Sequence, residues 1–463
     1  MKKDMTSSVG ENGYFADPLV PLLLTAENEQ NIMAKFSALK ESLTNNPGIC
    51  VKTLALALAN NYKSSSNRGI AVYNTAIGQL DFPFISKDSI DLKSLENRPL
   101  AFMLTGVGNQ YINMAKGLYQ KGKNFKKHFD YCCSFLEPLL NLNLKDVLFP
   151  DSIRDTVSKD YEAKSGFNLK GLLDKSCSDL TGKEEKLLAK TEYLHPLLFI
   201  VEYSIAQILI SWGITPAALI GHSIGEYVVA CVSGVLSLED ALTLVTKRAQ
   251  LIETLPQGMM LTVLVDEDKL KPILKDYNSL SMAAVNSLIS CTVSGAEKDI
   301  IEFEEELGKR EIMCLRLPTT RAFHSSMMSA IEPEFIRLFD NIRLNKMKIP
   351  FLSNLTGDWA TDKQLADINN WFLHTCSAVQ FSMGIKKLLE VKNIVLLELG
   401  PGQTLTGFTF QHNFKKQNPN GIILSALKNT NDMLSDDVFL FNALCKLWIN
   451  GVKINWGSIL KST

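Results

Sequence analysis

Leu219–Ala230 reads LIGHSIGEYVVA, an apolar run that meets a helix-like one across Gly221-His222-Ser223-Ile224-Gly225. Gly-x-Ser-x-Gly at such a junction is the pattern of a nucleophile elbow. A strand that turns sharply into a helix brings backbone and neighbouring side chains too close for β-carbons beside the turn, so both glycines have a steric reason. Ser223 is then expected exposed at the start of the helix. That reading demands an α/β architecture.

Upstream, Leu100–Tyr119, LAFMLTGVGNQYINMAKGLY, reads as strand, glycine-rich loop and helix, a common opening of an α/β domain. The most apolar window, PLLFIVEYSIAQILISW at 196–212, carries Glu202 and Gln207 and is too short to span a bilayer, so it is expected as a buried helix. A change of pattern follows Arg248. From Gly258 to Leu317 the segments MMLTVLV, EDKLKPILKDY, LSMAAVN, SCTVSG, EKDIIEFEEELGKR and IMCLRL give the order βαββαβ, which is ferredoxin-like. The expectation is an α/β-hydrolase-like large subdomain with an inserted ferredoxin-like small subdomain at 257–320. Ser223 lies before the insertion and RAFHSS, Arg321–Ser326, directly after it, so both can face one cleft between the lobes.

Residues 1–17 are expected to be a disordered leader. Residues 18–96 carry LVPLLLTA, the helical pattern NEQNIMAKFSALKESL and a second helix VKTLALALANNY, and are read as a small separate α+β unit. Residues 97–463 form the main domain.

The 463 residues are 46% hydrophobic, enough for a large core. Forty-eight basic against 49 acidic residues leave a net charge of −1, so no global field recruits nucleic acid or an anionic membrane. The nine cysteines are scattered, odd in number and without metal-ligand spacing, and the N-terminus lacks the apolar core of a signal peptide. A cytoplasmic protein without a metal site is expected.

A serine hydroxyl needs a base to take its proton. Of six histidines, His324 is the candidate, because it follows the small lobe in a loop dense with small polar residues. His222 is expected to point away from the serine. An oxyanion formed on attack needs backbone donors: the Ile224 amide is one supplier and the loop TGVGNQ the other. Arg248, on a helix starting at Leu238, shares a face with Leu244 and Val245 and is directed at the core. A buried guanidinium requires an anion, either an internal carboxylate or that of a substrate.

Several ordered motifs together resemble the malonyl-type acyltransferases (malonyl-CoA:acyl carrier protein transacylases) of polyketide and fatty acid synthesis, preceded by the linker unit found in modular polyketide synthases. They are FMLTGVGNQYINMAKGLY, HPLLFIVEYSIAQIL, GHSIGEYVVACVSGVLSLEDALTLVTKRAQLI, AAVNSLISCTVSG, RAFHSSMM, SNLTGDW and LLELGPGQTLTGF, and the likeness covers about residues 18–460. It implies ping-pong transfer of an acyl group from malonyl-CoA to Ser223, and then to the phosphopantetheine thiol of an acyl carrier protein, with no permanently bound cofactor. His324 would be general base and acid, oriented by a backbone carbonyl, which is expected from Gly400–Leu405. Arg248 would pair with the free carboxylate of the extender unit, and Asn286 and His222 would belong to the pocket wall. No ketosynthase, reductase or carrier motif is present in the 463 residues, so a monomer acting in trans on separate carriers, or a piece of a longer synthase, is expected.

Two departures stand out. Relatives commonly have Gly-Gln-Gly where this chain has Gly106-Val107-Gly108, leaving the Val107 amide as the oxyanion donor. The specificity tetrapeptide is Arg321-Ala322-Phe323-His324. Phe323 keeps the bulk that excludes an α-methyl group, and Arg321 adds a charge to the expected pocket. Malonyl is the first expectation, with hydroxymalonyl or aminomalonyl open. A hydrolase clearing carriers and a non-catalytic docking module are the competing readings, and the retained Arg248 argues against the first of them.

Overall fold

The computed structural model describes residues 18–61, 67–86, 98–150 and 183–461; the expected leader and the boundary near residue 96 lie outside them. Near the N-terminus, β1 (Leu19–Ala26), β2 (Asn67–Asn74) and β3 (Gln79–Ile85) form an antiparallel sheet in the order β1-β2-β3. The helices Glu29–Asn45 and Val51–Asn61 accompany it. The prolines Pro21 and Pro83 stand on the edge strands β1 and β3, where a missing N–H disrupts no central ladder. This unit joins the rest through Arg68 of β2, which donates to the Trp448 carbonyl at 2.9 Å and lies over the Trp448 ring.

The large sheet is parallel. Its centre is β4 (Leu100–Leu104) beside β5 (Ala218–Gly221), both buried along their whole length. Strands buried on two faces read as continuous apolar runs, as LAFML and ALIG do. The helix Thr191–Ser211 is long and apolar enough to cross a membrane, but 78% of its most apolar window is packed inside the protein. Glu202 on it accepts hydrogen bonds from both the amide and the hydroxyl of Thr105, just past β4.

The small lobe follows with β6 (Met259–Val263), β7 (Ser281–Ser287), β8 (Ser290–Gly295) and β9 (Cys314–Arg316), antiparallel in the order β7-β8-β6-β9. With the helices Glu267–Leu274 and Glu297–Lys309 this is the expected βαββαβ, ferredoxin-like arrangement. Strand alternation divides its residues. Leu261, Val263, Cys291 and Val293 pack with Leu270, Ile300 and Phe303 of the helices, while Met260 and Thr292 face the cleft.

The large sheet is completed by β10 (Phe351–Leu352), β11 (Val395–Glu398) and β12 (Ile422–Ser425), in the order β10-β5-β4-β11-β12. The chain runs outward from β4 to β5 and β10, then returns to the other side of β4 with β11. Ligands of open α/β sheets bind at the carboxyl ends of strands beside such a reversal. The glycine-rich loop after β4 and the elbow after β5 both lie there.

Candidate active site

The elbow has the strain its motif requires. Ser223 has φ +53°, a left-handed conformation costly for a residue with a β-carbon. A β-carbon on Gly221 would lie 2.3 Å from the Glu226 amide nitrogen, and one on Gly225 would lie 2.3 Å from the Leu104 carbonyl oxygen. Both clashes are with backbone, so only glycine allows the turn.

His324 reaches the serine across the cleft: its Nε2 is 2.6 Å from the Ser223 hydroxyl oxygen. On the other side of the ring, Nδ1 lies 3.1 Å from the carbonyls of both His374 and Ser377. Carbonyls only accept, so the ring proton belongs on Nδ1, and Nε2 presents its lone pair to the Ser223 hydroxyl. Burial, then the nearby Arg248 and His222, lowers the His324 pKa to about 3. The ring is therefore neutral and able to take a proton.

These two carbonyls correct an expectation. The Gly400–Leu405 segment does not orient His324; the end of the helix Ile368–Cys376 does. The last carbonyls of a helix have no partner within it and are free to accept from an outside donor. His374 O is one of these, and Ser377 O follows directly.

Neither the Ile224 amide nor the Val107 amide has a hydrogen-bond partner among the described residues, and Ser223 beside the first lines the same cleft as Val107. The loop's own glutamine, Gln110, is turned back to accept from the Gly108 amide at 2.7 Å. A cleft of about 530 Å³ opens between the lobes, walled by Val107, His222, Ser223 and His324 on one side and by Met260, Ala283, Thr292 and Phe323 on the other. Phe323 stacks at a tilt against His195, with ring centres 5.3 Å apart. His222 sits on the wall, held by Asn286, whose Oδ1 is 2.8 Å from Nε2. Asn286 in turn donates to the Thr292 hydroxyl at 3.0 Å and stands behind His222 rather than on the wall.

Arg248 is 1% exposed. Its Nε donates to the Thr375 hydroxyl at 3.2 Å, Nη1 lies 3.4 Å from His195 Nδ1, and its guanidinium carbon is 5.2 Å from the centre of the Tyr227 ring. Among the described residues no carboxylate pairs with it, so the internal salt bridge that would account for its burial is not there. Its positive charge is close enough to hold down the pKa of His324.

Arg321 corrects a second expectation. Its guanidinium turns from the cleft and donates to the Glu253 carbonyl at 2.8 Å and to the Glu253 carboxylate at 3.0 Å, at the end of the helix Leu238–Glu253. Phe323, two residues on, lines the cleft.

Asn354 was missed by reasoning from sequence. Its Oδ1 accepts from the Ser223 amide and its Nδ2 donates to the Gly221 carbonyl, each at 2.7 Å. The motif SNLTGDW contained it, but nothing local tied that motif to an elbow 131 residues away.

A strained serine on an α/β elbow, hydrogen-bonded to a neutral histidine and beside two unpartnered amides, is equipped for acyl transfer through a covalent serine intermediate. The chain belongs to the family described as acyl transferase domain, which matches residues 101–435. It is an acyltransferase of the polyketide-synthase type. It is similar to the acyl transferase domain of ZmaA, with TM-score 0.80 and 30% identity over 96% of this chain and 97% of that one. The acyl transferase domain of SpnD, in complex with 2-(pent-4-yn-1-yl)malonyl, gives TM-score 0.74 and 28% identity over 95% and 97%. A phenolphthiocerol/phthiocerol polyketide synthase of Mycobacterium tuberculosis is 27% identical over 98% of this chain and 29% of its own length. The chain spans less than a third of such curated relatives.

Proposed function

We propose that the protein transfers a malonyl group from coenzyme A to the phosphopantetheine thiol of an acyl carrier protein, acting in trans for polyketide biosynthesis. Ser223 attacks the thioester carbonyl while His324 Nε2 takes its proton. The amides of Ile224 and Val107 receive the oxyanion. The proton then passes to the departing coenzyme A sulfur, leaving malonyl-Ser223 and the free thiol. In the second half His324 takes the carrier thiol's proton, the thiolate attacks the ester, and Ser223 leaves with its proton restored.

The observation that carries the malonyl assignment is Arg248, a buried cation beside His324 without a carboxylate of the protein's own. A buried charge without a partner is strongly unfavourable, and the free carboxylate of a malonyl group matches the guanidinium fork. Phe323 on the cleft wall supports malonyl over methylmalonyl by bulk. His222 is proposed as part of the pocket wall, with Asn286 holding its ring from behind, and residues 18–96 are proposed to be the linker unit.

The experiment is to load the enzyme from malonyl-CoA and follow the acyl group with and without carrier protein. Transfer to the carrier thiol, faster than release of free malonate, supports the reading. Preferential release of free acid from acyl carriers would make it a hydrolase.

A further inference from the structure

Ser223 is held in a left-handed conformation, φ +53°, which persists only where surrounding structure over-determines it. Glycines permit the turn but do not hold it. We propose that Asn354 is a positioning residue for this acyl transfer, fixing the nucleophile and the segment that orients its base from one point in the fold. The inference rests on the role proposed for Ser223.

All four hydrogen-bonding groups of Asn354 are engaged. Its carboxamide spans the elbow, accepting from the Ser223 amide and donating to the Gly221 carbonyl, so that the peptides on either side of His222 are tied to one planar group. Its own amide donates to the Glu226 carboxyl at 2.6 Å, in the first turn of the helix Gly225–Val232. Its carbonyl accepts from the Gln380 amide at 2.8 Å, three residues beyond Ser377, whose carbonyl faces His324 Nδ1. The residue is 2% exposed, so water cannot substitute freely for any of these bonds. The site needs an acceptor and a donor on one short planar group. Aspartate keeps the acceptor but faces the Gly221 carbonyl with a second acceptor, and alanine leaves both elbow groups buried and unsatisfied.

A positioning residue of this kind acts on the reacting serine and not on substrate binding. The experiment compares wild type, Asn354→Ala and Asn354→Asp in two assays: labelling of Ser223 by a fluorophosphonate probe, and malonyl transfer to a carrier, with thermal unfolding recorded for each. Asn354→Ala is expected to slow labelling and kcat together by about 10- to 100-fold, with KM changed less than about twofold and with malonyl and acetyl groups affected alike. Asn354→Asp is expected to fall between Asn354→Ala and wild type. Wild-type labelling and transfer rates in folded Asn354→Ala would overturn the proposal, as would a loss confined to KM. Hydrogen exchange on the unmodified protein tests it without any variant. The Ser223 amide is expected to be protected while the unpartnered Ile224 amide is not, and equally rapid exchange at both would refute the clamp. Labelling of wild-type Ser223 without malonyl transfer would sink the substrate reading alone and leave the Asn354 assignment to stand on the labelling rates.

Discussion

Replacing Arg248 by alanine separates binding of the extender carboxylate from the chemistry at Ser223. Arg248 is 1% exposed, and its guanidinium uses Nε on Thr375, Nη1 near His195 and its face on Tyr227. Two hydrogen bonds from its remaining donors to a malonyl carboxylate, at about 1.5–3 kcal/mol each, set the loss at about 3–6 kcal/mol. That corresponds to a fall of roughly 10²- to 10⁴-fold in kcat/KM for malonyl-CoA. Acetyl-CoA has no carboxylate, and its kcat/KM is expected to move less than about threefold. Removing a buried cation without a carboxylate partner relieves a desolvation cost, so severe destabilisation is not expected. Because Arg248 holds down the pKa of His324, the variant's base should also titrate at a higher pH. The assay is single-turnover release of coenzyme A from each thioester across pH. An equal fractional loss for malonyl and acetyl groups would refute the carboxylate role.

Three further outcomes follow from the same geometry. Phe323→Ser removes the aromatic bulk of the cleft wall and should raise the methylmalonyl-to-malonyl ratio of kcat/KM; an unchanged ratio in a competition assay would reject the steric account. With the His324 pKa lowered to about 3, the acylation rate should show no acid limb centred near pH 6.5, and a limb there in the pH–rate profile would show that the base is solvated. Glu202 and Glu226 have pKa values raised to about 8, and Glu398 to about 7, chiefly by burial. The native state therefore keeps these protons at pH values where the unfolded chain has lost them. Their stabilising contribution is full below about pH 4.5 and is lost as pH rises through about 7–8. Urea midpoints should fall from pH 5 to pH 9, and Glu202→Gln should flatten the fall.

What could be read from the sequence depended on how local the deciding physics was. Gly221 answers to a contact inside the elbow, with Glu226, whereas Gly225 answers to the backbone of β4 at Leu104; it was their spacing around Ser223 that made the elbow visible in one short stretch of sequence. The small lobe was legible for a similar reason, since the alternation along β6 and β8 and the helical patterns between the strands are short-range signals. The strands β2 and β3 were not foreseen: NRGIAVYN and QLDFPFI lack a long apolar alternation, and their pairing is set by packing. Arg321 was assigned to the pocket by its place in a motif, but a side chain two residues from Phe323 is free to take another direction, and Glu253 captures it. The carbonyls of His374 and Ser377 were invisible because every residue has one, and only tertiary structure decides which faces His324. Asn354 was hidden by its separation in sequence from the elbow it bridges.

The central claim is that Ser223 carries a malonyl group on its way to a carrier thiol. Its most direct test is intact-protein and peptide mass spectrometry after mixing wild type and Ser223→Ala with malonyl-CoA, before and after adding carrier protein. The account predicts a malonyl adduct on the Ser223 peptide of the wild type alone, disappearing as malonyl-carrier forms. Carrier loading without an adduct, or an adduct that persists in Ser223→Ala, would contradict it.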